Sequence, residues 1–249
     1  MTKFQLIYGS TVIAGVILSL MLSSRFRTGL HQMFDSETTK SSWRKIITAT
    51  ILWIPMQMHW LKGAFSPLID GSVDFGRAFY VIILSACMLF IFQDEQNENT
   101  RSWSLTKKSL QYLANTYLIF IVVLIPLSLG MGFTKVAFTH KIWQLPIIFI
   151  EIFFATAFVE ELFFRGILQQ ELCNLMPTRF AWVVASLLFG LMHINNVGGG
   201  HEFPNWPYVI LATIAGLGYG YVYQKTHSLL AAILLHTAVD FTWLVFLHG

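Results

Sequence analysis

The sequence predicts an all-α, polytopic membrane protein with about eight transmembrane helices. Hydrophobic residues fill 55% of the 249 positions and charged residues only 12%, whereas a soluble domain carries about 25% charged residues. The apolar residues also fall in continuous runs, several near the ~20 residues that cross a bilayer. None shows the alternation expected of a membrane strand.

Taken in order, the runs predict helices near 4–22, 46–61, 78–93, 112–133, 146–170, 180–195, 207–223 and 229–247. The first is long for a signal-peptide core and leads into Ser23-Ser24-Arg25-Phe26-Arg27 with no small-x-small cleavage site, so a retained span is expected. Pro55, Gln57 and His59 interrupt the second. Between the third and fourth, residues 101–111 mix Trp103, Leu105 and Leu110 with Lys107 and Lys108, which suits a short helix lying in the interface. The stretch 196–204 is Gly-rich and reads as a loop. His201-Glu202 begins like a zincin motif, but Asn205 stands where the second His is required.

Basic residues lie between the runs. Arg25, Arg27, Lys40, Arg44 and Lys45 follow the first; Arg101, Lys107 and Lys108 follow the third. The positive-inside rule then puts these loops in the cytoplasm and, with eight spans, both termini outside. The net charge of +3 is too small to argue for nucleic acid. Cys87 and Cys173 are too few for a disulfide framework or a cysteine zinc site. Both are expected to be small buried apolar residues.

Three patterns carry the chemistry: Glu160-Glu161-x-x-x-Arg165, Phe189-x-x-x-His193 and His236-x-x-x-Asp240. Ionisable groups are costly at membrane depth, so those found there face a protein interior or a water-filled cavity. On a helix Glu160 and Glu161 point about 100° apart and cannot do the same job. Glu161 and Arg165 share a face, with the acid N-terminal in the favourable order for an ion pair. Glu160 is then the freer carboxylate and the candidate general base. His236 and Asp240 project from one face of the last run and could bind a metal or orient a water together. Counted inward at about 1.5 Å per residue, Glu160, His193, His236 and Asp240 fall roughly 11–20 Å deep, in the middle of a ~30 Å core.

This ordered series resembles the CAAX protease and bacteriocin-processing family of intramembrane proteases, the Abi group that includes the Ras-converting CAAX endoprotease type. Phe163-Phe164-Arg165-Gly166-Ile167-Leu168 and the stretch from Gly216-x-x-x-Gly220-x-x-Tyr223 to Ser228 carry the likeness further. It covers about residues 146–245, so the chain divides into N-terminal helices over 1–145 and a catalytic core over 146–249. The third motif ends in Asp240 where many members have Asn.

The resemblance implies hydrolysis of peptide bonds in peptide or membrane-anchored protein substrates; the apolar runs suggest a multi-pass protein surrounded by membrane lipid, and the compact size suggests a bacterial plasma membrane. Glu160, Glu161, Arg165, His193, His236 and Asp240 form the expected catalytic set. In one mechanism Glu160 and His193 activate a water while His236 and Asp240 stabilise the oxyanion. In the other, His193, His236 and a carboxylate, Glu160 or Asp240, hold Zn2+ whose bound water attacks. A non-catalytic reading, as a bacteriocin self-immunity factor or membrane scaffold, is open on the same residues. So is a small proton-coupled transporter, although no paired broken helices suggest one. Taken singly, Glu161–Arg165 could be a packing ion pair, His193 a satisfied core histidine and His236–Asp240 a polar clasp between helices.

Overall fold

The structure, a computed structural model, describes residues 36–57, 75–93, 102–138 and 140–248. The expected first span, His31 and His59 lie outside them. The described chain folds into seven helices. These are α1 (Glu37–Gln57), α2 (Phe75–Gln93), α3 (Lys107–Gly130), a composite α4 over 145–175, α5 (Thr178–Leu191), α6 (Trp206–Thr226) and α7 (Leu229–Phe246). A two-stranded antiparallel ladder, β1 (Lys135–Val136) with β2 (Leu247–His248), ties the end of α7 to the loop after α3.

Local chemistry sets the helix boundaries. Thr106 opens α3 by accepting from the Ser109 amide at 3.0 Å, in a reciprocal capping box. Asn205 opens α6 through the Tyr208 amide at 3.1 Å, and Ser228 opens α7 through the Ala231 amide at 3.2 Å. Between α6 and α7, His227 adopts a left-handed conformation (φ 53°) that turns the chain within two residues. Ser102 then seals this turn, donating its amide to His227 O at 2.8 Å and accepting from Leu229 N at 2.9 Å. Residues 102–106 are therefore extended backbone rather than the expected interfacial helix, and Lys107 begins α3 directly. Trp103, expected on that helix, stacks on Phe158 instead.

Helix α4 is not uniform. It runs as Leu145–Ile152, π-helical Phe153–Ala157, Phe158–Glu161, π-helical Leu162–Gln169 and Gln170–Leu175. Wide π turns of this kind are rare and concentrate at functional sites. The two carboxylates of the first motif sit on the short regular segment between them.

Among the described residues two helices, Lys107–Gly130 and Leu229–Phe246, are long and apolar enough to cross a membrane; Tyr80–Phe92 and Thr178–Leu191 are shorter apolar helices. Eight full spans are thus not what the described residues display. Large apolar side chains nonetheless cover the outside, with Leu118 and Val122 on α3, Ile150 and Phe154 on α4, Phe180 on α5 and Phe90 on α2 all exposed. A soluble monomer rarely shows so much contiguous apolar surface.

Without a hydrophobic drive between helices in lipid, close packing of small residues does much of the work. Helix α6 packs against α5, α3 and α7, while α4 packs against α1, α2, α5 and α7. A Cβ at Gly220 would come within 2.7 Å of Gln169 Oε1 and of Trp182 Cδ1. Only glycine lets α4 and α5 approach α6 there. Cys87 and Cys173 are free and half-buried rather than fully buried.

At the far end of α4, buried Glu171 joins the helix to α1. Its Oε2 accepts from Ser42 Oγ at 2.8 Å and from Asn174 Nδ2 at 3.1 Å, and its Oε1 lies 3.8 Å from Lys45 Nζ. Removing one partner of a buried pair strands the other. Glu171→Leu should therefore destabilise the fold by roughly 3 kcal/mol, read as a lowered unfolding midpoint in detergent. Glu37→Ala, at the exposed Lys40 pair, should leave the midpoint unchanged.

Candidate active site

Helices α4, α6 and α7 converge on one fully buried cation. Arg165 donates Nη1 to Glu161 Oε1 at 2.8 Å and Nη2 to the Gly216 carbonyl at 2.9 Å. Its guanidinium carbon lies 4.5 Å from the Phe189 ring centroid and 5.3 Å from that of Tyr219. Both Glu161 and Arg165 are 0% exposed. A Cβ at Gly216 would press on Phe189 and on Arg165 Nη2, at 3.0 and 3.2 Å, so the close approach that exposes this carbonyl needs glycine.

Glu161 Oε1 has a second partner, His236 Nδ1, at 2.8 Å. An ionised carboxylate held by Arg165 can only accept, so Nδ1 is the donor and the ring is oriented from behind. Tyr219 stacks on the imidazole with centroids 4.5 Å apart, and Phe189 meets it edge-on at 5.7 Å. The front nitrogen, Nε2, lies 3.3 Å from Asp240 Oδ2 and 3.9 Å from Glu160 Oε2. Glu160 Oε2 itself is buried and makes no hydrogen bond among the described residues.

His193 reaches the site differently. The sequence suggested one helix through 195, but α5 ends at Leu191 and His193 stands in the turn beyond it. Carbonyls at a helix end lack intrahelical partners, and here they are taken up one by one. Phe189 O accepts from His193 Nδ1 at 2.8 Å, and Gly190 O from His193 N at 3.0 Å. Leu191 O accepts from Ile194 N, His193 O from Asn196 N and Ile194 O from Asn205 N. Because a carbonyl only accepts, Nδ1 carries the proton, and Nε2 of the neutral ring is a bare lone pair.

Glu160, His193, His236 and Asp240 all line one cavity of about 310 Å³, together with Tyr208, Asn196 and the apolar walls of α1 and α3. Glu161 and Arg165 do not line it. These two of the six expected catalytic residues therefore hold the site in place without facing it. The four expected metal ligands share a cavity, but among the described residues no three His, Cys, Asp or Glu side chains are disposed to hold a metal ion. Both His236 nitrogens already face carboxylates.

Some participants lacked a visible signal. Tyr219 was legible only as a residue within the Gly216–Gly220 stretch. Asn205, the failed zincin position, is buried and donates Nδ2 to Asn196 O and Gly198 O at 2.9 and 3.1 Å, closing the Gly-rich loop onto the His193 turn. Among the described residues, His140, His201 and His227 do not line the cavity; His201, for example, stacks on Phe133.

Residues 141–242, which run from the start of α4 into α7, match the family model described as type II CAAX prenyl endopeptidase Rce1-like. This segment is similar to Rce1-like domains. The match contains all three motifs, and the family is one of membrane proteins acting on membrane-anchored prenylated substrates. Comparison with curated proteins and with solved structures gives no match. The Rce1-like domain thus carries Glu160, Glu161, Arg165, His193, His236 and Asp240, while α1, α2 and α3 lie outside it.

If Glu161 is the hub, its removal should strand a buried cation. Glu161→Leu should cost about 3–5 kcal/mol of stability, measured by denaturation in detergent. Adding Arg165→Met should recover most of that loss, since removing both charges of a buried pair is far milder than removing one.

Proposed function

We propose that the chain is a multi-pass intramembrane endopeptidase that hydrolyses peptide bonds of membrane-anchored or peptide substrates through a water activated by Glu160. The observation that carries this reading is an unpartnered carboxylate oxygen, buried in a cavity beside two histidines whose orientations are fixed from behind. Unpartnered buried acceptors are costly, and a site for water accounts for this one.

A water seated in the cavity gives one proton to Glu160 Oε2, and His193 Nε2 accepts a hydrogen bond from the other. The resulting hydroxide attacks the scissile carbonyl carbon, whose C=O electron pair moves onto oxygen. His236 Nε2–H, held by Glu161 through Nδ1 and by the Tyr219 face, donates to that developing oxyanion. An ionised Asp240 cannot donate, so its place is to accept from Nε2–H and orient the ring before substrate arrives. As the tetrahedral species collapses, Glu160 passes its proton to the departing nitrogen and the C–N bond breaks. One water is consumed, and the carboxylate is regenerated.

The charge distribution supports a cytoplasmic placement for one end. Lys40, Arg44 and Lys45 on α1, Lys107 and Lys108 on α3, Arg179 on α5 and Lys225 on α6 gather there, against Lys135 and Lys141 at the other. The core over 146–249 supplies the reacting groups.

The test is proteolysis by purified protein in liposomes, against prenylated and unprenylated peptides. Glu160→Gln should lower kcat by about 10³-fold, and His236→Ala by about 10²–10³-fold, with both proteins still folded. A chelator should leave the wild-type rate unchanged, and loss that zinc restores would replace the glutamate–water route with a metal one. Wild-type rates in Glu160→Gln would end the endopeptidase reading.

A further inference from the structure

One carbonyl of the His193 turn is satisfied from outside the Rce1-like domain. Met192 O, the peptide oxygen immediately before His193, accepts from Gln57 Nε2 at 2.8 Å. Gln57 is the last residue of α1, 135 positions away, and was visible in the sequence only as a polar interruption of an apolar run. It also lines the cavity beside Trp53 and Met56.

We infer that Gln57 is a positioning residue for His193 and that α1 forms part of the catalytic site. The turn carrying His193 lies past the end of α5, where the amides of His193 and Ile194 bond back three residues and the Met192 carbonyl has no helical amide ahead of it to accept from. Rigid orientation of a base depends on the groups that hold its backbone as well as its ring. The Phe189 carbonyl fixes the ring and the Gln57 amide fixes the peptide that carries it.

Helix α1 is built to deliver that amide. At one end Lys45 and Ser42 engage Glu171. Midway, Tyr80 Oη donates to Leu52 O at 2.6 Å. Beside it Trp53 stacks flat on Phe163, with centroids 4.8 Å apart, and meets Phe164 edge-on at 5.8 Å. Phe164 in turn packs edge-on against Phe189 at 5.0 Å, the ring that contacts both histidines. The rotation and height of α1 are thereby set before Gln57 reaches Met192. Pro55 sits two residues from the end of the helix and lacks the amide that would extend the hydrogen-bond ladder.

The kinetic arm of the test rests on the endopeptidase reading; the spectroscopic arm does not. Gln57→Met keeps the length and removes the donor. In liposomes it should lower kcat about ten- to hundredfold, as expected for a small misplacement of a catalytic group, with KM and the unfolding midpoint close to wild type. In a His193→Gln background the same change should add no further loss. Glu37→Ala, at the exposed start of α1, should leave kcat unchanged. Spectra of 15N-histidine-labelled protein should show a single Nδ1–H tautomer for His193 in wild type and Glu37→Ala, and a mixture in Gln57→Met. Unchanged His193 resonances in Gln57→Met would overturn the inference, whether kcat is unaltered or falls together with the unfolding midpoint. If wild type cleaves nothing, the endopeptidase reading fails, and the tautomer spectra still decide the role of Gln57.

Discussion

Everything at this site depends on a guanidinium sealed inside a membrane protein. Arg165 has no access to water, so its charge must be met within reach of its own side chain. Glu161 meets it from one turn away, the Gly216 carbonyl from a second helix, and the faces of Phe189 and Tyr219 surround it. Since Glu161 also holds His236, satisfying one buried cation fixes the relative placement of α4, α6 and α7. A pair that would be weak evidence for stability on its own here has a specifying role: through Glu161 Oε1 and the guanidinium it joins groups from three helices.

The division of labour between adjacent glutamates follows from helix geometry. Neighbouring residues point about 100° apart, so one carboxylate turns to the cation and the other to the cavity. The π turns on either side, Phe153–Ala157 and Leu162–Gln169, widen α4 next to the two acids. Hydrogen bonds to Arg165 and His236 fix Glu161 in place, while Glu160 Oε2 makes no hydrogen bond among the described residues and lines the cavity.

The sequence made the helical class legible because apolar runs in a membrane protein need no long-range information to be recognised. The ion pair between Glu161 and Arg165 was equally legible, since both partners lie on one turn. What escaped had its cause elsewhere in the chain. The end of α5 at Leu191 is set by a loop that Asn205 folds back, and no residue near 191 announces it. Residues 101–111 had an amphipathic composition, but the backbone of Ser102 was claimed by the open turn between α6 and α7. Gln57 looked like a defect in a span because its partner is a carbonyl, and carbonyls have no sequence signature.

The contacts between α4 and α6 repeat. Arg165 reaches Gly216 O, and one turn further along Gln169 reaches Gly220 O at 3.3 Å, both across 51 residues. Two parallel helices thus carry matching rungs, each landing on a glycine notch. Such a ladder is nearly degenerate: shifted by one turn, the upper side chain would meet the lower notch and find a similar carbonyl waiting. Packing between these two helices alone is therefore a poor judge of register. The imidazole of His236, arriving from a third helix at one height only, breaks the tie, so the same residue that lines the cavity also tells the bundle where to stop sliding.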